Sequence, residues 1–321
     1  MPAIFLSNIS LSRYTNYKIG GKSKYFAEAK KEQDVFEIID VYTTFAPLKI
    51  RKNIFIIAHG TNVLFPDEGY NGLVIKISID FIELNQDGVI LAGAGTSMED
   101  IVSFAVQEGL SGLEWAGGLP GSFGGAIRGN AGAFGGEMKD SIIMVRSMDL
   151  VQKGKILERN NKECDFGYRA SIFKGLAAKE VILSGAIKLM PGNKKEIIEK
   201  TEAHKNYRKE KQPIELPSAG STFKNINIED ITPEQKKEWS SAIKTDPFPV
   251  VPAAFLISEA GLKGKKIGGA MISEKHPNFF VNIDGATSFD VKSLIEKAKK
   301  TIKEKFGIEM QEEVQIVDWK E

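Results

Sequence analysis

Three glycine-rich turns in the first half of the chain carry the residue types that bind phosphate. They lie at residues 58–65 (AHGTNVLF), 91–100 (LAGAGTSMED) and 117–136 (GGLPGSFGGAIRGNAGAFGG), and each follows a predicted strand. Successive backbone N–H groups in such turns form concave anion sites. Because glycine costs backbone entropy on folding, this density indicates left-handed turns or a ligand lying against bare main chain. Three turns together favour a phosphate or pyrophosphate ligand over simple tight turns.

The common nucleotide-binding and metal-binding motifs are absent from the sequence. No segment matches the pattern G-x-x-x-x-G-K-[ST], and GAGTSM lacks the third glycine of the dinucleotide fingerprint. The histidines His59, His204 and His276 are scattered, and the single cysteine Cys164 excludes an intramolecular disulfide. These absences disfavour a P-loop NTPase, a simple Rossmann dehydrogenase and a metal site.

Composition excludes several classes of partner. The 321 residues include 43 Lys plus Arg against 42 Asp plus Glu, so no large basic field attracts nucleic acid or anionic lipid. No secretion signal is recognisable, and no run approaches the roughly 20 apolar residues that span a bilayer. We therefore expect a cytoplasmic protein of about two or three domains, without nucleic acid or membrane partners.

Strands and helices must position the glycine turns, and the hydrophobic pattern indicates an α+β fold. Apolar runs predict strands at 53–60, 72–79, 87–95, 142–151, 180–189 and 312–317. Helical spacing predicts helices at 96–110, capped by Ser97, at 194–212, with a solvated charged face, and at 287–306, with a capping box from Thr287 to Asp290. Strands and helices do not alternate regularly, which disfavours a doubly wound sheet.

Several longer motifs follow one another in a fixed order along nearly the whole chain. They are YTNYKIGG at 14–21, the turn and strand at 58–77, the glycine segment at 109–135, FGYRASIFK at 166–174, PSAGSTFKN at 217–225, AGLKG with KHPNFFVN at 260–282, and FGIEMQEEVQIV at 306–317. In this order the sequence resembles the UDP-N-acetylenolpyruvoylglucosamine reductases, the MurB family of flavoenzymes. The short run after YRASIF resembles the type II form of that family.

The resemblance implies an FAD-binding fold of the vanillyl-alcohol-oxidase (PCMH) type. Two small α+β subdomains, at 1–77 and 78–212, would bind FAD non-covalently, and an α+β substrate-binding domain would follow at 213–321. The glycines would let main chain approach FAD where any Cβ would collide with it. The implied cofactor-binding residues are His59, Gly60, Thr61, Asn62, Val63, Leu64, Gly118, Pro120, Gly121, Ser122, Gly124, Gly125, Asn130, Ala131 and Gly132.

The family reaction reduces UDP-N-acetylglucosamine enolpyruvate to UDP-N-acetylmuramate for peptidoglycan synthesis. NADPH gives a hydride to flavin N5, and the flavin gives it to C3 of the enolpyruvyl group. Negative charge then builds at C2 and its carboxylate, which requires positive or hydrogen-bonding groups and a proton donor. The resemblance implies this small-molecule substrate as the partner, with a monomer as the expected state.

Three residues match the catalytic positions of the family. Ser221 matches the serine that protonates C2, and Arg169 matches the arginine that holds the carboxylate and enolate. Glu313 matches the glutamate that polarises the same group. Its neighbour Glu312 would point to the opposite face of a strand, so only one of the two can face the site. We assign the role to Glu313 because it directly precedes the valine.

Further positions match substrate contacts, and one segment departs from the family pattern. Tyr168, Lys224 and Asn225 match residues that lie near the substrate diphosphate and sugar. The segment at 226–252 is longer than in compact relatives and bears on the shape of the substrate pocket. No motif predicts a metal ligand.

Two other functions remain open at this point. One is another FAD oxidoreductase of the same binding fold, which oxidises a hydroxy acid or an alcohol. Such enzymes often attach flavin through histidine, and the glycine turns contain only His59. The other is a nucleotide-binding regulatory module without chemistry, against which the presence of Ser221, Arg169 and Glu313 together argues.

Overall fold

The chain folds into two compact units, each with its own hydrophobic core. A computed structural model describes residues 4–85, 87–152, 154–174, 179–245 and 248–317. The first unit contains Met1–Ile9, Ser23–His59 and Tyr70–Asn206, and the second contains Ser10–Lys22, Gly60–Gly69 and Tyr207–Glu321. Two short N-terminal segments therefore fold with the C-terminal part. The division into three domains at 77/78 and 212/213 stays a prediction.

The helices and strands have the following bounds in chain order. The α-helices are α1 (Glu32–Phe45), α2 (Met98–Gln107), α3 (Phe123–Gly129), α4 (Lys194–Lys211), α5 (Pro233–Glu238), α6 (Ala253–Glu259) and α7 (Ser288–Phe306). The strands are β1 (Leu6–Ser10), β2 (Lys22–Ala29), β3 (Ile54–Ile57), β4 (Val63–Leu64), β5 (Tyr70–Ile77), β6 (Ile82–Leu84), β7 (Val89–Gly93), β8 (Leu110–Ser111), β9 (Gly132–Ala133), β10 (Gly136–Glu137), β11 (Ile142–Asp149), β12 (Ile156–Asn160), β13 (Glu180–Lys188), β14 (Met190–Pro191), β15 (Ser218–Ser221), β16 (Ile226–Asn227), β17 (Val250–Val251), β18 (Lys266–Ile267), β19 (Ala270–Ile272), β20 (Phe279–Asn282) and β21 (Gln315–Ile316).

Two sheets build the first unit around one core. One sheet has the order β1-β2-β5-β3, in which β5 pairs in parallel with both β2 and β3. The other has the order β12-β11-β13-β7-β6, in which all neighbours are antiparallel. Apolar residues of both sheets share one buried cluster with α1, α2 and α3. Cys164 lies in this cluster, and burial raises its thiol pKa to about 11, so the thiol is unreactive at neutral pH.

The second unit packs helices on an antiparallel sheet. Its sheet has the order β15-β20-β19-β18, and α6 and α7 contribute apolar faces to the core. The described residues of the segment at 226–252 contribute to this core: β16 pairs with β17, and buried Trp239 packs edge-on against Phe255 and Phe306. The longer segment is therefore a structural element of the second unit.

The predicted helix starts at Ser97 and Thr287 are confirmed, while the strands predicted at 53–60 and 312–317 are shorter than expected, at Ile54–Ile57 and Gln315–Ile316. The Ser97 hydroxyl accepts a hydrogen bond from the Asp100 amide, and Thr287 with Asp290 forms the full capping box. The strand expected at 312–317 is reduced to β21, because Glu312 pairs only through an isolated bridge with Phe223.

Candidate functional site

The turn between β3 and β4 begins with a glycine that its surroundings require. Gly60 has a φ of +62°, and a Cβ there would collide with the carbonyl oxygen of Tyr14. The Gly60 carbonyl also accepts a hydrogen bond from the Asn16 amide at 2.9 Å. The motif at 14–21 therefore holds this turn from one side, within the second unit.

The same turn offers backbone donors to a ligand. Within the described part of the chain, the amides of Gly60, Thr61 and Asn62 donate to no protein acceptor. Consecutive unpaired N–H groups around a left-handed glycine are suited to a phosphate oxyanion. The turn thus fits the pyrophosphate contact that the sequence predicts for it.

Ser221 and Glu313 lie close together in the second unit, although 92 positions separate them in the numbering (313 − 221). Ser221 ends β15 opposite Phe279, and the next residue, Thr222, accepts a hydrogen bond from the Glu313 amide at 2.8 Å. The C-terminal segment therefore runs antiparallel to the chain that leaves Ser221. The Ser221 side chain is half-buried and hydrogen-bonds to none of the described residues.

The glycine turn and the C-terminal segment are joined directly. β4 pairs in parallel with β21, with Val63 opposite Gln315. The Asn62 side-chain amide donates to the Glu313 carbonyl at 3.1 Å. One unit thus brings together the predicted cofactor turn, the predicted proton donor and the predicted glutamate.

The two adjacent C-terminal acids have different surroundings. Glu312 accepts a hydrogen bond from Lys299 of α7 at 2.8 Å, and this contact raises the pKa of Lys299. The Glu312 backbone pairs with Phe223, and the contact with Lys299 ties its side chain to α7. The Glu313 amide donates to the Thr222 carbonyl, and alternation along the chain directs its side chain to the face opposite that of Glu312. These contacts support Glu313 over Glu312 as the site residue.

Two supporting residues were missed in the sequence, although both lie in motifs that it contains. Asn278 is buried; its side chain accepts from the Phe223 amide at 3.0 Å and donates to the Phe223 carbonyl at 2.8 Å. Burial raises the pKa of Tyr17, and the Thr222 hydroxyl lowers it only in part. The two hydroxyls do not meet hydrogen-bond geometry, so this contact behind Ser221 is weak.

The long glycine segment lies in the first unit and also has unpaired donors. Gly118 and Gly121 have φ values of +71° and +118°. Among the described residues, the amides of Gly118, Gly121 and Ser122 donate a hydrogen bond to no protein acceptor. These donors fit a phosphate, as expected for this segment.

Close packing within the protein explains other glycines that the sequence assigned to cofactor contact. A Cβ at Gly124 would lie 2.7 Å from the Ala94 Cβ, and one at Gly132 would lie 2.7 Å from the Glu137 Cγ. Together with Gly60, these positions require glycine for protein packing. The expectation that a Cβ at these positions would also collide with FAD stays a prediction.

Asn130 organises the end of the glycine segment from inside. It is fully buried with a φ of +42°, and its side chain donates to the Gly167 carbonyl and to Glu137. Its side-chain oxygen accepts from the Lys139 amide at 3.0 Å. The residue therefore offers a ligand only its main chain.

Arg169 is anchored to the same segment. It has a φ of +54°, and its guanidinium donates to the Gly132 carbonyl at 2.8 Å and lies 5.3 Å from the Tyr168 ring centre. A left-handed backbone at a non-glycine residue is typical of functional positions. The first unit thus brings Arg169 and Tyr168 to the glycine segment.

The remaining predicted positions have local structural contacts. His59 hydrogen-bonds through Nε2 with the Gly95 carbonyl at 3.0 Å in the first unit. In the second unit, the Lys224 amide donates to the Gln311 carbonyl, and the Asn225 side chain accepts from the Ala253 amide. The described residues contain no cluster of His, Cys, Asp or Glu that could hold a metal, and no helix among them is long and apolar enough to cross a bilayer.

Comparison with known proteins places this geometry in a family. Residues 23–159 match the FAD binding domain model, and residues 212–317 match that of the UDP-N-acetylenolpyruvoylglucosamine reductase C-terminal domain. The UDP-N-acetylenolpyruvoylglucosamine reductase of Caldanaerobacter subterraneus subsp. tengcongensis is 39% identical over 312 residues, which cover 97% of this chain and 92% of that protein. This chain belongs to the UDP-N-acetylenolpyruvoylglucosamine reductase family.

Further relatives of the reductase family agree over the same length. The Bacillus subtilis reductase is 37% identical over 314 residues, which cover 97% of this chain and 93% of that protein. The crystal structure of the reductase (MurB) from Thermus caldophilus matches with a TM-score of 0.74 at 29% identity, over 98% of both chains. The family resemblance, the α+β FAD-binding fold with its C-terminal domain, and FAD as cofactor are thereby confirmed.

Substitution of Gly60 tests the glycine turn. Gly60→Ala should destabilise the full chain by about 2–5 kcal/mol, because it adds a left-handed alanine and a collision with Tyr14. FAD binding should weaken at least about tenfold as the turn shifts. Gly307→Ala is the matched control, since its φ is +72° with open space at the Cβ. Urea denaturation and FAD titration should show a cost of about 1–2 kcal/mol and unchanged FAD affinity for the control.

Equal effects of the two substitutions on stability would contradict the argument from the Tyr14 contact. A stability loss at Gly60 with undiminished FAD affinity would instead remove the turn from the cofactor site. The two measurements therefore separate the structural role of this glycine from its ligand role.

Proposed function

We propose that this reductase catalyses NADPH-dependent reduction of UDP-N-acetylglucosamine enolpyruvate to UDP-N-acetylmuramate in peptidoglycan precursor synthesis. Two relatives that carry the name of that reductase match this chain over 92% and 93% of their own length. The observation that carries the proposal is the pairing of Thr222 with Glu313, which holds Ser221 and Glu313 beside the turn at 60–62. A proton donor, an acid and phosphate-binding amides therefore share one unit.

Ser221 supplies the proton in this proposal. When bound, FAD would supply the hydride-transfer chemistry between NADPH and C3 of the enolpyruvyl group, and the turn at 60–62 would offer backbone amides to its pyrophosphate. The carbon C2 then becomes strongly basic, which allows a weak acid such as a serine hydroxyl to protonate it. Since the Ser221 hydroxyl is not held by any described residue, it is available for this transfer.

Arg169 and Glu313 act on the carboxylate next to C2. The guanidinium stays charged and can bind a carboxylate with two parallel hydrogen bonds, so it stabilises the charge that develops there. The left-handed backbone and the bond to Gly132 restrict the orientation of Arg169. Glu313 helps to polarise the same group, and its position is fixed on both sides of its peptide by Thr222 and Asn62.

The substrate contacts follow from the same assignment. We propose that Tyr168, Lys224 and Asn225 lie near the diphosphate and sugar of the substrate. Tyr168 lies beside Arg169. Lys224 and Asn225 lie in the segment that follows Ser221 at the end of β15. A monomeric state and a cytoplasmic location stay predictions from the sequence.

An anaerobic titration tests the proposed reaction. One equivalent of NADPH should bleach the flavin absorbance of the purified protein, and UDP-N-acetylglucosamine enolpyruvate should then restore it. UDP-N-acetylglucosamine, which lacks the enolpyruvyl group, is the control and should leave the band bleached. A band that bleaches and is not restored by the enolpyruvyl substrate would contradict the proposed acceptor, while the FAD-binding fold would stand.

A further inference from the structure

The guanidinium of Arg128, in the FAD-binding unit, has no partner among the residues that the structure describes. It lies in the last turn of α3 and is half-buried. Within the described residues, its guanidinium makes no hydrogen bond, ion pair or ring contact, and only its carbonyl is engaged, by the Ser171 hydroxyl at 2.7 Å. Burial lowers the pKa of Arg128.

Such an arrangement is unfavourable without a ligand. A guanidinium remains protonated in proteins, and removing its charge from water without a partner is costly. Other arginines of the same unit are paired: Arg146 with Glu32 and Glu158, and Arg159 with Glu180. Arg128 thus differs from its neighbours in having no carboxylate to offset its desolvation.

The face of α3 that carries Arg128 is bare. Phe123, Ala126 and Ile127 are buried, whereas Gly125 and Gly129 occupy the other side. A Cβ at Gly129 would have no neighbour within 4 Å, and one at Gly125 would have only the Ser122 hydroxyl, at 3.2 Å. The protein therefore leaves space along this face.

The direction of a helical side chain connects Arg128 to the unpaired amides. Side chains lean toward the amino end of their helix and cover the preceding turn. That end is preceded by Gly118 and Gly121, whose amides have no protein acceptor among the described residues. By this general direction, the Arg128 side chain extends toward the end of α3 at which these unpaired amides lie.

A second cation lies on the segment that contacts Arg128. Lys174 donates to the Arg169 carbonyl at 2.9 Å, on the segment that Ser171 ties to Arg128. The buried acid of this region, Glu137, is already paired with Lys139 at 2.8 Å. None of the described carboxylates offsets the charge of Arg128, which leaves its guanidinium available to an anion of a ligand.

We infer that Arg128 binds a diphosphate oxyanion of a ligand lying along the bare face of α3. A planar guanidinium suits two phosphate oxygens, and the adjacent amides suit the others. FAD carries a diphosphate, and so does the UDP-sugar substrate of the proposed function. The inference extends the FAD assignment and partly rests on the proposed function for the second source.

The test compares ligand affinity with the stability of flavin-free full-length protein. Arg128→Leu should weaken FAD binding about 10- to 100-fold, the loss expected for charge-assisted hydrogen bonds, and should leave riboflavin binding unchanged. The thermal midpoint of the flavin-free variant should equal or exceed that of the natural protein, because an unpaired and partly desolvated charge is removed. Arg128→Lys should retain part of the affinity.

Arg146→Leu is the matched control, since it removes the same charge from an ion-paired surface position. It should lower the thermal midpoint slightly and leave FAD affinity unchanged. If Arg128→Leu weakened UDP-N-acetylglucosamine binding and not FAD binding, the substrate diphosphate would be the ligand. That result would still support the inference.

Several results would overturn the inference. They are unchanged affinity for both diphosphates, equal weakening of FAD and riboflavin, or a lower midpoint that Arg128→Lys restores without any change in affinity. If Arg128→Leu failed to fold, Arg128→Gln and Arg128→Lys would be compared in the same titrations. None of these measurements requires turnover, so failure of the proposed reaction would be seen separately in the anaerobic titration.

Discussion

Ser221→Ala should separate the two half-reactions. Flavin bleaching by NADPH should proceed at the natural rate, while recovery of the flavin band on adding the enolpyruvyl substrate should slow by about 10²- to 10⁴-fold, the usual contribution of a general acid. The fold should be unaffected, because the Ser221 hydroxyl makes no hydrogen bond with the described residues. Stopped-flow absorbance under anaerobic conditions measures both rates in one sample.

Thr222→Val is the control for this experiment. It removes the neighbouring hydroxyl, which is buried and lacks a hydrogen-bond partner in the described structure, and it keeps the β-branched shape. Both half-reactions should stay within a few-fold of the natural rates. Equal loss of both half-reactions in Ser221→Ala would sink the assignment of Ser221 as proton donor.

Glu313→Gln should also slow reduction of the substrate, and Glu312→Gln should not. Glutamine keeps the size of Glu313 but can neither carry its charge nor exchange a proton, so we expect about a 10²- to 10³-fold loss, as for removal of one stabilising group at a developing oxyanion. Glu312→Gln breaks the pair with Lys299, which is partly exposed and contributes about 0–1 kcal/mol. Turnover with saturating substrate, together with urea denaturation, distinguishes the two variants.

The reverse pattern would assign the role to Glu312. A loss of turnover in Glu312→Gln with intact Glu313→Gln would mean that the Lys299 contact does not determine which acid faces the substrate. A large stability loss in Glu313→Gln would show that its side chain supports the fold, and the rate could then not be assigned to chemistry. The two variants are well matched, because each removes one negative charge and the two positions are adjacent in the chain.

Local sequence signals were reliable where the physical cause is itself local. Ser97 and Thr287 satisfy the free amides at helix starts within three residues, so their sequence spacing predicts the caps that the structure contains. Alternating or continuous apolar runs likewise locate β5, β7, β11 and β13, because the apolar side chains of each run drive the burial of that strand.

The glycine turns show where such signals become incomplete. Their spacing predicted left-handed turns, and Gly60 and Gly118 have left-handed φ values beside amides that are unpaired among the described residues. That these amides bind a phosphate stays a prediction. The sequence could not show that Gly60 is also required by Tyr14, or Gly124 by Ala94. Both reasons involve packing partners 46 and 30 positions away in the numbering (60 − 14 and 124 − 94), which no local pattern encodes.

The sequence by itself determined the family, the α+β class, the FAD cofactor and the candidate residues, because an ordered set of motifs carries that information without coordinates. Tertiary structure decided which residues meet. β4 pairs with β21, and Asn62 reaches Glu313 across 251 positions, because folding buries the apolar faces of both segments in one core. Only tertiary structure could show that the Arg128 guanidinium has no partner among the described residues, since that depends on every group around it.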